Sequence, residues 1–399
     1  MKKLLFLGIS VFSFLSCYAT INGDGFYRIK NVYTARWMEL IDKHGSVDEL
    51  SNSADLHALF LTKDTEGVIS NPASVFYVSK VANQNYQYNI SAQGTSLKSL
   101  AGNREIVIRD NGNIDGQVAY QMYGTKDGAT RYISDGNYTS AQTGDPTIGD
   151  VRYPNQRKWF FIPISNNSDD FFGFLPTIAA AGNLYCSTYT SFAYQLTQPG
   201  MKAYTIGQIG WGMVEMVEVN GTVPGGSPVI IQCAGPNPED NKVQLSTVSG
   251  SLKGNLLKGA YFDYYNRDAS KNEQVKYNPA TMRVLGTCGD GSLGFITADI
   301  DVIPANTAYL VVPAGYPKEL KCLNSADFAA GVETIESENN YELKYSGGIV
   351  YGLDGKDLSV FNLAGRTMAH SPKGVVDMSL LPKGVYVARS GNKSLKIVR

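Results

Sequence analysis

The stretch "GFYRIKNVYTARWMELID", Gly25 to Asp42, decides the fold. Phe26, Arg28 and Lys30 alternate with Tyr27, Ile29 and Asn31, the period of two expected of a half-buried strand, and a turn leads to a second strand ending at Ile41. Strand-and-turn pairs of the same kind recur in "VFYVSKVANQNYQYNIS" from Val75 and in "ATRYISDGNYTSAQ" from Ala129. "RKWFFIPIS", from Arg157, ends the block with a solid apolar strand. Three units at intervals of roughly fifty residues suggest a threefold repeat closed on itself, because one such unit cannot bury its apolar face alone.

The rest of the chain has the same character. Of 399 residues, 43% are hydrophobic and 18% charged, and 41 Gly with 25 Tyr suit a β-rich protein with many turns. The formal net charge is −1 and no basic cluster occurs, which argues against a nucleic-acid partner. "MKKLLFLGISVFSFLSCYAT" sets Lys2 and Lys3 before an apolar run, Leu4 to Leu15, and small residues ending at Ala19. We expect an export signal cleaved after Ala19, the apolar run being too short for a spanning helix. The alternative is a lipoprotein box acylated at Cys17, which Phe14 and Leu15 fit poorly. No later stretch would cross a membrane as a helix.

A second block, residues 171–323, contains an echo. "TVPGGSPVIIQ" from Thr222 and "VIPANTAYLVVP" from Val302 each pass from a Pro through small residues into an apolar strand, so a duplicated antiparallel unit is expected. The cysteines that follow the leader, Cys186, Cys233, Cys288 and Cys322, all fall here. They allow two disulfides in three connectivities, or four buried thiols, and no spacing selects between these. After a polar linker, "GVETIESENN" at 331–340, residues 341–399 form short strands, Leu358 with Val360, Val385 with Val387 and Leu395 with Ile397, and "SGNK" at Ser390 to Lys393 makes a hairpin turn. This reads as a small Greek-key sandwich.

Resemblances add to these readings. "YRIKNVYTARWMELID" resembles the opening repeat of ricin-type β-trefoil lectins, and "RKWFFIPIS" is similar to the tryptophan strand that closes such a repeat; the family's repeated Q-x-W is absent, "QRKW" at Gln156 to Trp159 being nearest. The resemblance implies a β-trefoil-like domain over residues 20–165. Segments of the middle block look similar to β-domains of secreted Bacteroidetes proteins. Residues 341–399 resemble the C-terminal sorting domain of the type IX secretion system in "SVFNLAGR", "VDMSLLPKGVY" and "KSLKIVR". That implies an exported protein, secreted or attached to the outer cell surface, with that machinery as a partner.

A sugar site in a trefoil needs an aromatic face and an Asp or Asn for the hydroxyls. The matching positions are Trp37 and Asp42 in the first repeat and Tyr132, Asp135 and Asn137 in the third. Each has a structural reading too: Trp37 as core, the acids and Asn137 as turn-stabilising side chains. "NGNIDGQVAYQM" from Asn111 spaces oxygen ligands as a calcium loop does, but Met122 stands where the bidentate carboxylate is needed, so it reads as a turn and no metal or other cofactor is expected. His44, His57 and His370 lie outside the Cys-bearing block, and no H-E-x-x-H, G-x-S-x-G or P-loop string occurs. The expected function is non-catalytic binding of a glycan or of a host or matrix protein. The alternative is a structural or protein-binding surface component, and a carboxylate-pair glycosidase is third.

Overall fold

The computed structural model describes residues 21, 23–43, 59–97, 106–126, 129–135, 143–144, 147–149, 154–265, 269–331, 343–346, 348–353, 356–391 and 393–399, and these are all β-rich. The alternation of Gly25–Asn31 (β1) sends Tyr27 and Ile29 into the core. One sheet joins β1 to β2 (Trp37–Leu40), β3 (Leu59–Thr62), β4 (Phe76–Lys80), β5 (Gln87–Ala92), β6 (Thr95–Ser96), β7 (Ile106–Ile114), β8 (Gln117–Lys126), β9 (Ala129–Ser134), β10 (Thr143–Gly144), β11 (Thr147–Gly149) and β12 (Trp159–Pro163). Within it β1, β4, β5, β7, β8 and β12 pair in that order, and β12 pairs again with β1, closing a barrel. The other strands are inserts: β2 and β3 between β1 and β4, β6 between β5 and β7, β9 to β11 between β8 and β12. Strand, insert and strand, three times over, is the β-trefoil arrangement.

Side chains repeat in step with the strands. Tyr27 faces Phe76, Tyr88 faces Ile106 and Tyr120 faces Trp159; Val78 faces Ile90, Ile108 faces Met122 and Phe161 faces Ile29. All of these are buried in one cluster, where each contributes about 1.5–3 kcal/mol of transfer free energy. The phase of the repeat differs from the expected one. Repeats begin at β1, β5 and β8, so Val75 to Ser91 straddles the first and second, and the stretch from Ala129 is the insert of the third. Inserts of unequal length displace the strand pairs from a regular interval.

The middle block supplies β13 (Ile178–Ala180), β14 (Asn183–Thr188), β15 (Ala193–Leu196), β16 (Lys202–Gly210), β17 (Met213–Val219), β18 (Thr222–Val223), β19 (Val229–Cys233), β20 (Val243–Ser246), β21 (Leu257–Ala260), β22 (Met282–Thr287), β23 (Leu293–Ile296), β24 (Thr307–Val311) and β25 (Glu319–Asn324). The echo is a true duplication. β19 lies between β14 and β16, as β24 lies between β21 and β22. The turn entering each has its second small residue at positive φ, Gly226 at 78° and Asn306 at 59°. β15 pairs with β18 and β20 in a separate small sheet.

The chain divides into two compact units, Met1–Gly207 with Val217–Glu319, and Gln208–Met216 with Leu320–Arg399. Barrel and duplicated block thus share the first unit, and several contacts join them. Val75 packs into the cluster of Phe172, Tyr194 and Ile231, and Phe26 and Ile164 pack against that cluster. Arg28, buried on the outer face of β1, donates from Nε to Val68 O (3.1 Å) and from Nη2 to Ile69 O (3.1 Å) and Phe171 O (2.7 Å). Gln93, buried at φ 50°, donates from Nε2 to Asn306 Oδ1 (2.6 Å) and Tyr261 O (3.3 Å).

In the second unit Met213–Met216 run parallel to Lys321–Asn324. Residues 343–399 fold as two sheets, β26 (Lys344–Ser346), β27 (Ile349–Tyr351) and β30 (Val375–Asp377), against β28 (Leu358–Asn362), β29 (Thr367–Ser371), β31 (Val385–Ser390) and β32 (Lys393–Val398). The pairing Ser390↔Lys393 gives the expected hairpin. Tyr386 and Ala388, not Val385 and Val387, enter the core, because Ala388 registers with buried Val360 of β28. The linker residues 332–340 lie outside the described residues. No described helix is long and apolar enough to cross a membrane.

Replacing Gln93 by Ala removes the clamp and strands Asn306 Oδ1. We predict a loss of about 1–3 kcal/mol in equilibrium denaturation of the full chain. An unchanged midpoint would mean that the clamp contributes nothing to the join.

Candidate functional site

Among the sugar-site positions, Asp135 has the most defined surroundings. Asn31 Oδ1 accepts from Tyr33 N and Thr34 N (3.0 Å each), and Ala35 takes φ 59°, so the chain turns tightly between β1 and β2 and aims Arg36 at the third repeat. Arg36 donates to both oxygens of Asp135, through Nε to Oδ2 (2.9 Å) and through Nη2 to Oδ1, and Thr34 Oγ1 donates to Oδ2. Both members of this ion pair are fully buried, and Asp135 N donates to Gln156 O. The carboxylate therefore faces Arg36 and not solvent, tying the first repeat to the third.

Trp37 is 7% exposed, packed under the Lys30 ammonium at 4.7 Å from its ring centre, and its Nε1 has no hydrogen-bond partner. Asp42 is buried. Tyr132 is half-buried between the Tyr123 ring at 5.2 Å and the Arg157 guanidinium at 4.4 Å. Asn137, His44 and His57 lie outside the described residues. The structure thus brings the first and third repeats together through Arg36 and Asp135 rather than through an open aromatic-and-acid pocket at these positions.

Other candidates resolve simply. Asn111 to Asp115 lie in the β7–β8 hairpin, where Asp115 and Gly116 take φ 50° and 84°, a turn of the expected kind. Cys186, Cys233, Cys288 and Cys322 form no disulfide with one another. Cys186 and Cys233 stand diagonally across β14 and β19, and the hydrogen bond between their side chains, with burial, pushes the Cys186 thiol well up. His370 Nδ1 meets Ser359 Oγ at 3.0 Å on an exposed face of the C-terminal sandwich. Burial raises the Glu39 carboxyl, with a hydrogen bond from Asn71 opposing and the charge of Asp64 assisting.

An open cleft of about 490 Å³ lies in the first unit, between barrel and duplicated block. One wall is a row across four paired strands on the outside of the barrel: Phe26 faces Tyr77, Tyr77 faces Ser91 and Ser91 faces Ser96. The Phe26 and Tyr77 rings tilt at 48° with centres 5.1 Å apart, and Phe192 closes on Phe26 edge-on at 6.1 Å. The opposite wall is Ser191 to Ala193, Gly225 and Ser246 to Ser249. Gly225 is required there, since a Cβ would stand 2.4 Å from Ser191 O. Among the described residues no Asp, Glu, Lys, Arg or His lines the cleft; burial pushes the Tyr77 hydroxyl up, and Asp24, by its charge and a side-chain hydrogen bond, adds to this. Sequence reasoning missed this wall. The available signal was aromatic residues, Phe26 and Tyr77, on strand faces turned away from the barrel core.

No family model and no curated protein matches this chain. Among solved structures the chain is similar to the hemolytic lectin CEL-III, with 8% identity and a TM-score of 0.21 over 85% of this chain and 70% of that one. A likeness that slight fixes neither fold nor ligand, and the trefoil assignment rests on the strand pairing.

Replacing Asp135 by Ala leaves a buried guanidinium without its counterion, and we predict a loss of about 3–5 kcal/mol in chemical denaturation. The double variant Arg36→Met with Asp135→Leu should recover much of it. A stable Asp135→Ala protein with its binding lost would instead make Asp135 a ligand group.

Proposed function

We propose that this chain is an exported, non-catalytic binding protein that recognises a glycan or a matrix protein through its first unit. The observation that carries the reading is the cleft lining. Aromatic faces and hydroxyls on a rigid wall of paired strands recognise polar, uncharged groups, whereas acid–base or nucleophilic chemistry needs titratable groups positioned against each other. Glu39 and Asp64, two carboxylates close enough for one charge to act on the other, are not among the residues that line that cleft. On this reading Trp37, Asp42 and Asp135 shape the trefoil and the cleft meets the ligand.

Residues 341–399 act as the sorting segment, addressed to type IX secretion machinery, and residues 1–19 as the export signal. In support, the C-terminal sandwich has a hydrophobic core of its own around Val350, Leu358, Val360 and Met378. The protein ends its route secreted or held on the outer cell surface.

The test is an array of glycans and matrix proteins probed with the full chain. Saturable binding to at least one class is expected. No binding on either array would leave the trefoil as a scaffold in a structural surface component.

A further inference from the structure

We infer that the cleft between the barrel and the duplicated block is a binding site for a neutral saccharide; this rests on the binding reading above and gives it a place and a ligand class. Among the described residues no charged side chain lines the cleft. A carboxylate or sulfate carried into it would give up hydration with no cation in return and would meet the charge of Asp24 behind Tyr77, and an ammonium would find no carboxylate in the described lining, so the occupant is uncharged. Phe26 and Tyr77 form a tilted aromatic surface, the kind on which the C–H face of a pyranose packs. Hydroxyls stand along the walls, and each both donates and accepts, as a ring of sugar hydroxyls requires.

Ser246 belongs to the opposite wall, where its main chain pairs with Ala193. Thr247, next to it, is exposed and lines the same wall, so its hydroxyl is open to a ligand. The volume, about 490 Å³, is within the range of sites that enclose small ligands. The wall on the barrel side belongs to paired strands and the other to a turn whose approach depends on Gly225, so the site is preformed.

The experiment uses the full chain and ligand-observed NMR with maltotriose, cellotriose and chitotriose as neutral probes, and sialyllactose and a sulfated disaccharide as charged ones. Two plugging variants, Thr247→Trp and Ser96→Trp, place bulk at exposed positions on opposite walls, and their melting curves verify the fold. We expect a neutral probe to bind the unmodified chain and to lose at least about tenfold in affinity in both folded variants, with charged probes weaker throughout. If the plugged variants bind as well as the unmodified chain, or charged probes bind best, the cleft assignment is overturned while glycan binding elsewhere on the unit stands. If no probe binds and the arrays are blank as well, both readings fail together; if no probe binds while a matrix protein does, the saccharide assignment alone fails.

Discussion

A buried guanidinium must find acceptors, and the arrangement of the first unit follows from where Arg28 finds them. The side chain leaves the barrel wall on the strand face opposite Tyr27 and Ile29, and its donors reach Val68, Ile69 and Phe171. Val68 and Ile69 belong to a short helical turn within the first repeat, and Phe171 begins the duplicated block. One cation therefore ties three segments distant in sequence. Charge-assisted bonds to carbonyls are stronger than neutral ones, and leaving such a charge unpaired is costly, so the geometry is narrowly set. With β1 held this way, Phe26 is placed between barrel and block, and the cleft opens beside it.

The barrel shows why closure matters more than any single repeat. Each repeat contributes a tyrosine, two aliphatic or aromatic partners and one further apolar residue, and no one set could exclude water alone. Tyr88 and Tyr120 also grip the main chain of Ile21, one donating to its carbonyl and the other accepting from its N–H. The turn that carries Asn31, Thr34 and Arg36 then locks the first repeat onto the third through Asp135. A carboxylate that a sequence comparison offers to a sugar is used instead to keep the barrel shut.

Much of this fold is legible in the residues. Alternation in β1, the proline-led echo at Thr222 and Val302, and the hairpin that pairs Ser390 with Lys393 are local signals, and these survive into the structure. The phase of the repeat is not local. It depends on insert lengths, and "ATRYIS" reads like an opening strand although it is an insert. The second strand face of β1 was equally opaque, because a strand covered on both sides by different partners keeps its period while Arg28 loses its solvent. In the last domain Val385 and Tyr386 are both apolar enough to face inward, and only the pairing with β28 chooses between them. Of the cleft only the outward aromatics Phe26 and Tyr77 left a trace, since they and Ser246 line one cleft only after the barrel and the block have packed.

Arg28 should make barrel and duplicated block one cooperative body. Native-state hydrogen exchange on the full chain and on its Arg28→Met variant tests this most directly. Amides of Ile29 and Phe161 in the barrel and of Ile230 and Ile231 in the block should share one opening free energy and fall together in the variant. Barrel amides that keep their protection while those of the block lose theirs would instead make the two parts independent neighbours.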